Sequence, residues 1–358
     1  VLISYEKYIF RRILDITSTV MLPILNLVVL FMGEGSIGMA AVGVVIQIIY
    51  GYVYIYYCKR KIGVKAKYDK LNYDMLKEIW GFTAFVFLGM IVDMLYWATD
   101  KVLIGALIGS VAVAVYNIGG VFTSMVNSMS SAISNVFSSR ITTMVVKDQP
   151  IEKLSELLIR IGRIQYLVIA FIISGYIVFG KAFIHFWSGD AYMEAYYIAL
   201  YTMIPLAIPL IQNVAYNTIL AQKKHKFRSI IYAIIAVVNV ISTYMAIPKY
   251  GIIGAAVCTA IAYVIGNGII MNIYYYKVTK LDIPKFWLNI AKISVVPVIF
   301  SIAGLYIVNK ILIINSIKLF LIEVIAYSVL YIVCIWLTSM NQYEKSIFYD
   351  MIKFIKKK

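Results

Sequence analysis

Apolar residues run along this chain in long blocks, each separated from the next by a short polar break. An α-helical membrane crossing takes roughly 20 mostly apolar residues. Ten blocks meet that length: 13–33, 37–57, 79–108, 111–137, 164–187, 195–221, 229–248, 251–275, 290–309 and 317–338, denoted spans a to j. The breaks include tight turns such as Gly33-Glu34-Gly35-Ser36 and three polar segments, none large enough for a separate domain. The pattern predicts an all-α polytopic membrane protein with about ten transmembrane helices. One segment differs. Pro150–Arg163 places Ile151, Leu154, Leu158 and Ile161 at helical spacing with charges opposite, which predicts an amphipathic helix lying on the membrane surface.

Composition sharpens this picture. Of 358 residues 62% are hydrophobic and 14% charged, and the mean hydropathy is +0.87, which excludes a water-soluble globular protein. The net charge of +16 would suggest nucleic acid in a soluble chain. Here ten alternating spans put both termini and four of the connecting segments on one side, and that side takes all the Lys and Arg except Lys101, Lys181, Lys249, Lys310 and Lys318. Loops rich in Lys and Arg stay cytoplasmic, so both ends of the chain are expected inside and nucleic acid is dropped as a partner. Cys58, Cys258 and Cys334 have no metal or redox spacing, and neither a cofactor pattern nor a nucleophile–base set is visible. A transporter is expected, not an enzyme.

The chain also repeats itself. At a constant offset of 216 residues Arg12 pairs with Arg228, Gly35 with Gly251, Gly38 with Gly254, Ala40 with Ala256 and Lys61 with Lys277. Spans a–b and g–h therefore read as copies, and the repeat unit is six helices. An even number of spans preserves orientation, so the copies run parallel. This predicts residues 1–78 as the last two helices of a first, truncated lobe plus a basic cytoplasmic loop. Residues 79–289 form a second six-helix lobe, and 290–358 an extra helix pair with a basic tail. The intact arrangement would be 6+6+2, with about 140 residues missing upstream.

Span c ends in Trp97-Ala-Thr-Asp100-Lys101-Val-Leu-Ile-Gly105, followed by Val113-Ala-Val-Tyr116-Asn117-Ile118. This resembles the D-K/R-x-x-I-G … G-x-Y stretch of bacterial polysaccharide flippases, the Wzx-like PST group used for O-antigen and capsule. Their superfamily also includes lipid II flippases and MATE drug exporters (the MOP superfamily). The run from Val136 to Ile141 is similar to the same group, with Ser139-Arg140 where the family usually has Pro-Arg. The resemblance implies a carrier in the bacterial cytoplasmic (inner) membrane that flips an undecaprenyl-pyrophosphate-linked oligosaccharide. It also implies membrane lipid, a glycan polymerase and glycosyltransferases as partners. The alternative within the superfamily is a MATE-like cation-coupled drug antiporter.

Several residues are candidates for mechanism. Charges inside hydrocarbon cost about 2.5–3.5 kcal/mol on insertion scales and mark cavities or ion paths. Span c holds Asp93, Asp100 and Lys101. The two aspartates, about 10 Å apart along one helix face, are candidates to exchange a proton or hold Na⁺. Asn239 and Thr243, four apart on span g, would add oxygen ligands. Structural pairing of these groups is the alternative. On span d Asn117, Ser124, Ser128, Ser131, Asn135 and Ser138 form a polar seam, suited either to one wall of a wet, sugar-binding cavity or to close helix packing. For the implied pyrophosphate, Arg140 at the cytoplasmic end of the seam is the first choice, then Arg12 and Arg228, with Lys101 also in the substrate-binding set. Positive-inside anchoring is the alternative for all of these basic residues. Pro205 and Pro209 predict a kink in span f. Glu323, in the outer half of span j, either lines a lipid groove or pairs with Lys318.

Overall fold

The computed structural model describes residues 8–61, 98–222, 226–310 and 316–346, with the single positions 63, 73, 80, 224, 314 and 349. The chain divides into two compact units, Val1–Gly81 and Phe82–Lys358. In the first, α1 (Tyr8–Phe31) and α2 (Gly35–Lys61) pack against each other across a turn at Gly33 and Gly35. In the second, residues 98–107 form α3, followed by α4 (Ser110–Val146), α5 (Ile151–Trp187), α6 (Ala195–Ile211), α7 (Asn213–Ala221) and α8 (Lys226–Tyr263). A π-helical turn, Val264–Ile270, leads into α9 (Met271–Lys277), and α10 (Ile283–Lys310) and α11 (Ile317–Thr338) complete the unit.

The fold class expected from the hydrophobic pattern holds. Every regular element among the described residues is helical, and seven helical runs are long and apolar enough to cross a membrane. The bent pair α6–α7 makes an eighth. The longest run, Lys226–Lys277, breaks at Gly251, where φ is 61° and ψ −152°, so it holds the two expected spans g and h. Most of span c lies outside the described residues.

The second unit is organised around α6, which packs on α4, α5 and α8. Ile198, Ala199 and Met203 on α6 are wholly buried, because this helix is apolar on all sides and has protein around it. α10 runs along α5, and α11 covers the same helix further on.

The amphipathic segment is a correction. Residues Ile151–Arg163 are not a separate surface helix but the first third of α5, continuous with span e. Leu154, Leu158 and Ile161 are buried within the protein instead of facing lipid. Ser155 accepts a hydrogen bond from the Asp282 backbone, and Arg163 pairs with Glu344, so this third is clamped by the start of α10 and by the segment after α11. An apolar stripe at helical spacing says that a helix is covered, but not by what.

The repeat has a geometric counterpart. Gly35 and Gly251, paired by the offset, both take a left-handed φ, 56° and 61°, at a turn between two helices. One turn later a Cβ on Gly38 would lie 2.6 Å from Glu34 Cβ, and one on Gly254 would lie 2.8 Å from Tyr250 Cβ. Glu34 and Tyr250 are themselves 216 apart, the same offset that separates the two glycines.

Candidate functional site

Three of the predicted cation-coupling residues meet. Asp100 of α3 is buried, and its Oδ2 accepts hydrogen bonds from the Tyr116 hydroxyl and the Thr259 hydroxyl, both at 2.7 Å. Thr243 donates to Oδ1 at 3.5 Å, and Asn239 Nδ2 donates to Thr259 Oγ1 at 3.3 Å. The chain brings these together with two turns. Gly109, at φ 128°, folds α4 back beside α3, which sets Tyr116 against Asp100. Gly251 folds α8 back on itself, and Thr243 and Thr259 stand eight residues to either side of it.

The arrangement is a buried carboxylate ringed by neutral oxygens in a place without bulk water. Each hydrogen bond to a charged group is worth about 1.5–3 kcal/mol. Asn239 Oδ1 is buried and has no partner among the described residues, which leaves one oxygen available to a ligand. Such a set suits a proton or a small hard cation held by oxygens. Among the described residues no group of three or more His, Cys, Asp or Glu could hold a metal ion. Tyr116 and Thr259 were missed as site residues by sequence reasoning. Asp93 lies outside the described residues.

The polar seam of α4 faces away from the core of its unit. Asn117, Ser124, Ser128 and Asn135 are exposed, and Ser131 and Ser138 half-buried. Ser128 turns its hydroxyl back to the Ser124 carbonyl at 2.8 Å. Arg140, at the end of this face, is exposed. A second polar stripe on the same helix, unforeseen from sequence, faces inward. Thr123 shares a 2.7 Å hydrogen bond with Thr202, while Gln165 Nε2 donates to Ser130 Oγ at 2.9 Å and to Ser134 Oγ at 3.1 Å.

The remaining basic candidates separate. Lys101 is exposed, pointing away from the Asp100 cluster that its neighbour joins. Arg228 is half-buried with its guanidinium 4.0 Å from the Tyr216 ring centroid and 4.1 Å from that of Tyr232, so its planar face is taken up by stacking. Arg12 lies in α1, but its side chain is outside the described residues.

The kink expected from Pro205 and Pro209 is present as a 48° bend between α6 and α7. Side-chain amides hold the break on both flanks. Gln212 Nε2 donates to Asn272 Oδ1 at 2.6 Å, and Asn213 Nδ2 reaches Ser130 Oγ at 3.4 Å. Ser130 in turn donates to the Leu210 carbonyl at 3.2 Å, an acceptor that the broken helix leaves without its usual donor. Asn272 Nδ2 then bonds the Asn267 and Gly268 carbonyls inside the π-helical turn, at 2.7 and 2.9 Å.

Comparison with known proteins agrees with this architecture. Residues 5–197 match a family model described as polysaccharide biosynthesis protein. Among solved structures, the chain is similar to one titled lipid II flippase MurJ, inward closed conformation, with a TM-score of 0.69 at 17% identity. The alignment covers 92% of this chain and 66% of that one. No curated protein matches the sequence.

Proposed function

Since the chain belongs to the polysaccharide biosynthesis protein family, we propose that it moves a lipid-linked oligosaccharide across the bacterial cytoplasmic membrane by alternating access. It acts in this reading as a transporter and not an enzyme. The cargo is an undecaprenyl-pyrophosphate-linked glycan, whose lipid tail stays in the bilayer while its headgroup crosses. Residues 79–289 form one six-helix lobe, 1–78 supply two helices of the other, and 290–358 are an extra pair. Both ends of the chain face the cytoplasm. The membrane lipid is a partner throughout, and a glycan polymerase and glycosyltransferases act after and before it.

The observation that carries this reading is the open polar face of α4. Amides and hydroxyls at Asn117, Ser124, Ser128, Ser131 and Asn135 are costly against lipid but well matched to sugar hydroxyls. Arg140, at the cytoplasmic end of that face, offers a planar fork to the pyrophosphate. Arg12, Arg228 and Lys101 are weaker candidates for the same anion, Arg228 because tyrosine stacking already engages it. Asp100, Asn239 and Thr243, joined by Tyr116 and Thr259, supply the coupling-cation site, with Asp93 as a second carboxylate on the same helix.

The test is transbilayer movement in proteoliposomes carrying an undecaprenyl-pyrophosphate-linked oligosaccharide, with a glycan-modifying enzyme outside. Protein-dependent movement should be impaired by Arg140→Ala, Asp93→Asn and Asp100→Asn. Transport of ethidium with no glycan movement would overturn the reading in favour of a drug antiporter.

A further inference from the structure

On α11 Glu323 buries both carboxylate oxygens without a hydrogen-bond partner among the described residues, and Tyr327 and Tyr331 bury their hydroxyls, with Ser174 as their hydroxyl neighbour. Four residues separate each from the next, so they form one stripe, one group per helical turn. Ring contacts fix the direction of that stripe. Tyr327 meets Phe179 of α5 and Phe300 of α10, at 5.3 and 5.6 Å between centroids. Tyr331 meets Phe171 of α5 and the same Phe300, at 5.1 and 5.3 Å. The stripe therefore faces the seam where α11 lies against both helices.

Glu323 is 9% exposed at the outer end of this stripe. No charged group faces it among the described residues. The apolar cluster around Phe320, one turn earlier on α11, takes Val178, Phe179, Ala182 and Phe186 from α5 and Val308 from α10. The titratable groups along the seam are Tyr327 and Tyr331 on α11 itself. Lys310 and Lys318 are exposed near helix ends, Lys181 sits over the rings of Tyr196 and Tyr197, and His185 pairs with Asp190 at 2.5 Å. Pairing with Lys318, one of the two readings of the sequence, does not form among the described residues. A carboxylate buried without a counter-ion is too costly to hold as an anion, and it neutralises by binding a proton.

The stripe continues into a polar track. Ser174 of α5, also buried, lies beside Tyr327 and Tyr331. Ser174, Tyr166 and Ser301 line a cavity of about 340 Å³ bounded by α5, α6 and α10. The Tyr166 hydroxyl accepts a hydrogen bond from Ser294 at 2.6 Å, further towards the start of α10. Ser174 donates to the Phe171 carbonyl at 3.1 Å and Ser301 to the Pro297 carbonyl at 2.8 Å, so each hydroxyl keeps its acceptor lone pairs for a bridging water.

We infer that Glu323 is a proton-binding site, and that Tyr327, Ser174, Tyr331 and Tyr166, with bridging water, form the path by which its proton reaches the cytoplasmic half of the membrane. The site is separate from Asp100 and independent of which substrate the protein carries. Glu323 gains and loses its proton through the file, whose far end exchanges protons with cytoplasmic water. Only O–H bonds are made and broken, so no oxidant or reductant takes part. The sidedness follows the proposed topology, whereas the proton site itself does not depend on it.

The experiment is infrared spectroscopy of the protein in lipid nanodiscs, which reads protonation without any transport. At neutral pH the wild type should show a protonated-carboxyl band that Glu323→Gln removes. On transfer to D₂O the deuterium shift of that band should slow about tenfold in Tyr331→Phe, the kinetic equivalent of one lost hydrogen bond. Ser174→Ala should slow it likewise. No band difference between wild type and Glu323→Gln would mean an ionised carboxylate and overturn the site. Exchange at the wild-type rate in both hydroxyl variants would overturn the path. Neither result bears on glycan transport, so failure here is distinguishable from failure of the flippase reading.

Discussion

Replacing Arg163 with methionine should release the segment after α11 from the lobe. Arg163 and Glu344 stand 181 residues apart and form a buried ion pair, the arginine 7% and the glutamate 2% exposed. Arg163 donates from Nε at 2.6 Å and Nη2 at 3.1 Å to the two carboxylate oxygens, and from Nη2 to the Ser339 carbonyl at 2.9 Å. The Asn341 amide donates to Glu344 at 2.9 Å, and the Asn341 side chain accepts from the Glu344 amide at 2.8 Å, which caps the short helix there. Methionine keeps the length of the side chain but leaves a buried carboxylate with one backbone donor, a loss of about 3–5 kcal/mol. Because the segment can open without unfolding the lobe, the loss should register as local opening. Trypsin cleavage after Lys345, followed by mass spectrometry, measures the open population directly. Cleavage should accelerate roughly a hundred- to several-thousand-fold in Arg163→Met. It should return most of the way in the double variant with Glu344→Gln, which buries no charge. Wild-type cleavage in the single variant, or a double variant cleaved as fast as the single, would refute the reasoning.

Two more outcomes follow from the backbone and the polar seam. Gly251→Ala places a side chain at φ 61° and ψ −152°, which should cost about 1–3 kcal/mol and lower the melting temperature. It should also weaken cation-dependent stabilisation through displacement of Thr259. Ser128→Leu and Asn135→Leu should lower glycan transport while leaving the melting temperature unchanged, because those positions are exposed in the unit. A loss of stability instead would mark the seam as a helix-packing surface.

Much of the fold was legible because a bilayer constrains sequence so tightly. Blocks of about 20 apolar residues have few uses other than crossing. The Gly35–Gly251 pairing was readable for a different reason, since a turn at positive φ accepts little except glycine. Asp100, Asn239 and Thr243 stood out as polar groups inside apolar runs. Tyr116 was visible only as the tyrosine of the family-like motif and Thr259 not at all, because tyrosine and threonine are ordinary in such helices and their roles arise only when two turns fold them onto Asp100. The inner stripe of α4 illustrates the limit well. Ser130 and Ser131 differ by one position, about 100° around the helix, yet one bonds Gln165 in the core and the other belongs to the open seam. Composition registers both alike. The first third of α5 was misread for a related reason: its apolar face was plain, but its cover comes from residues more than 100 positions away.

The length of α4 and α5 has a practical consequence. Each has 37 residues, about 55 Å of helix against a hydrocarbon core of about 30 Å. The paired helices therefore carry their connecting turn, residues 147–150, up to about 25 Å past the membrane edge as a stiff mast. A soluble protein fused there through continuous helix would inherit the orientation of the lobe. It would serve as a rigid fiducial for electron microscopy, or as a reporter of which way the lobe tilts, without touching the carboxylate site or the polar face.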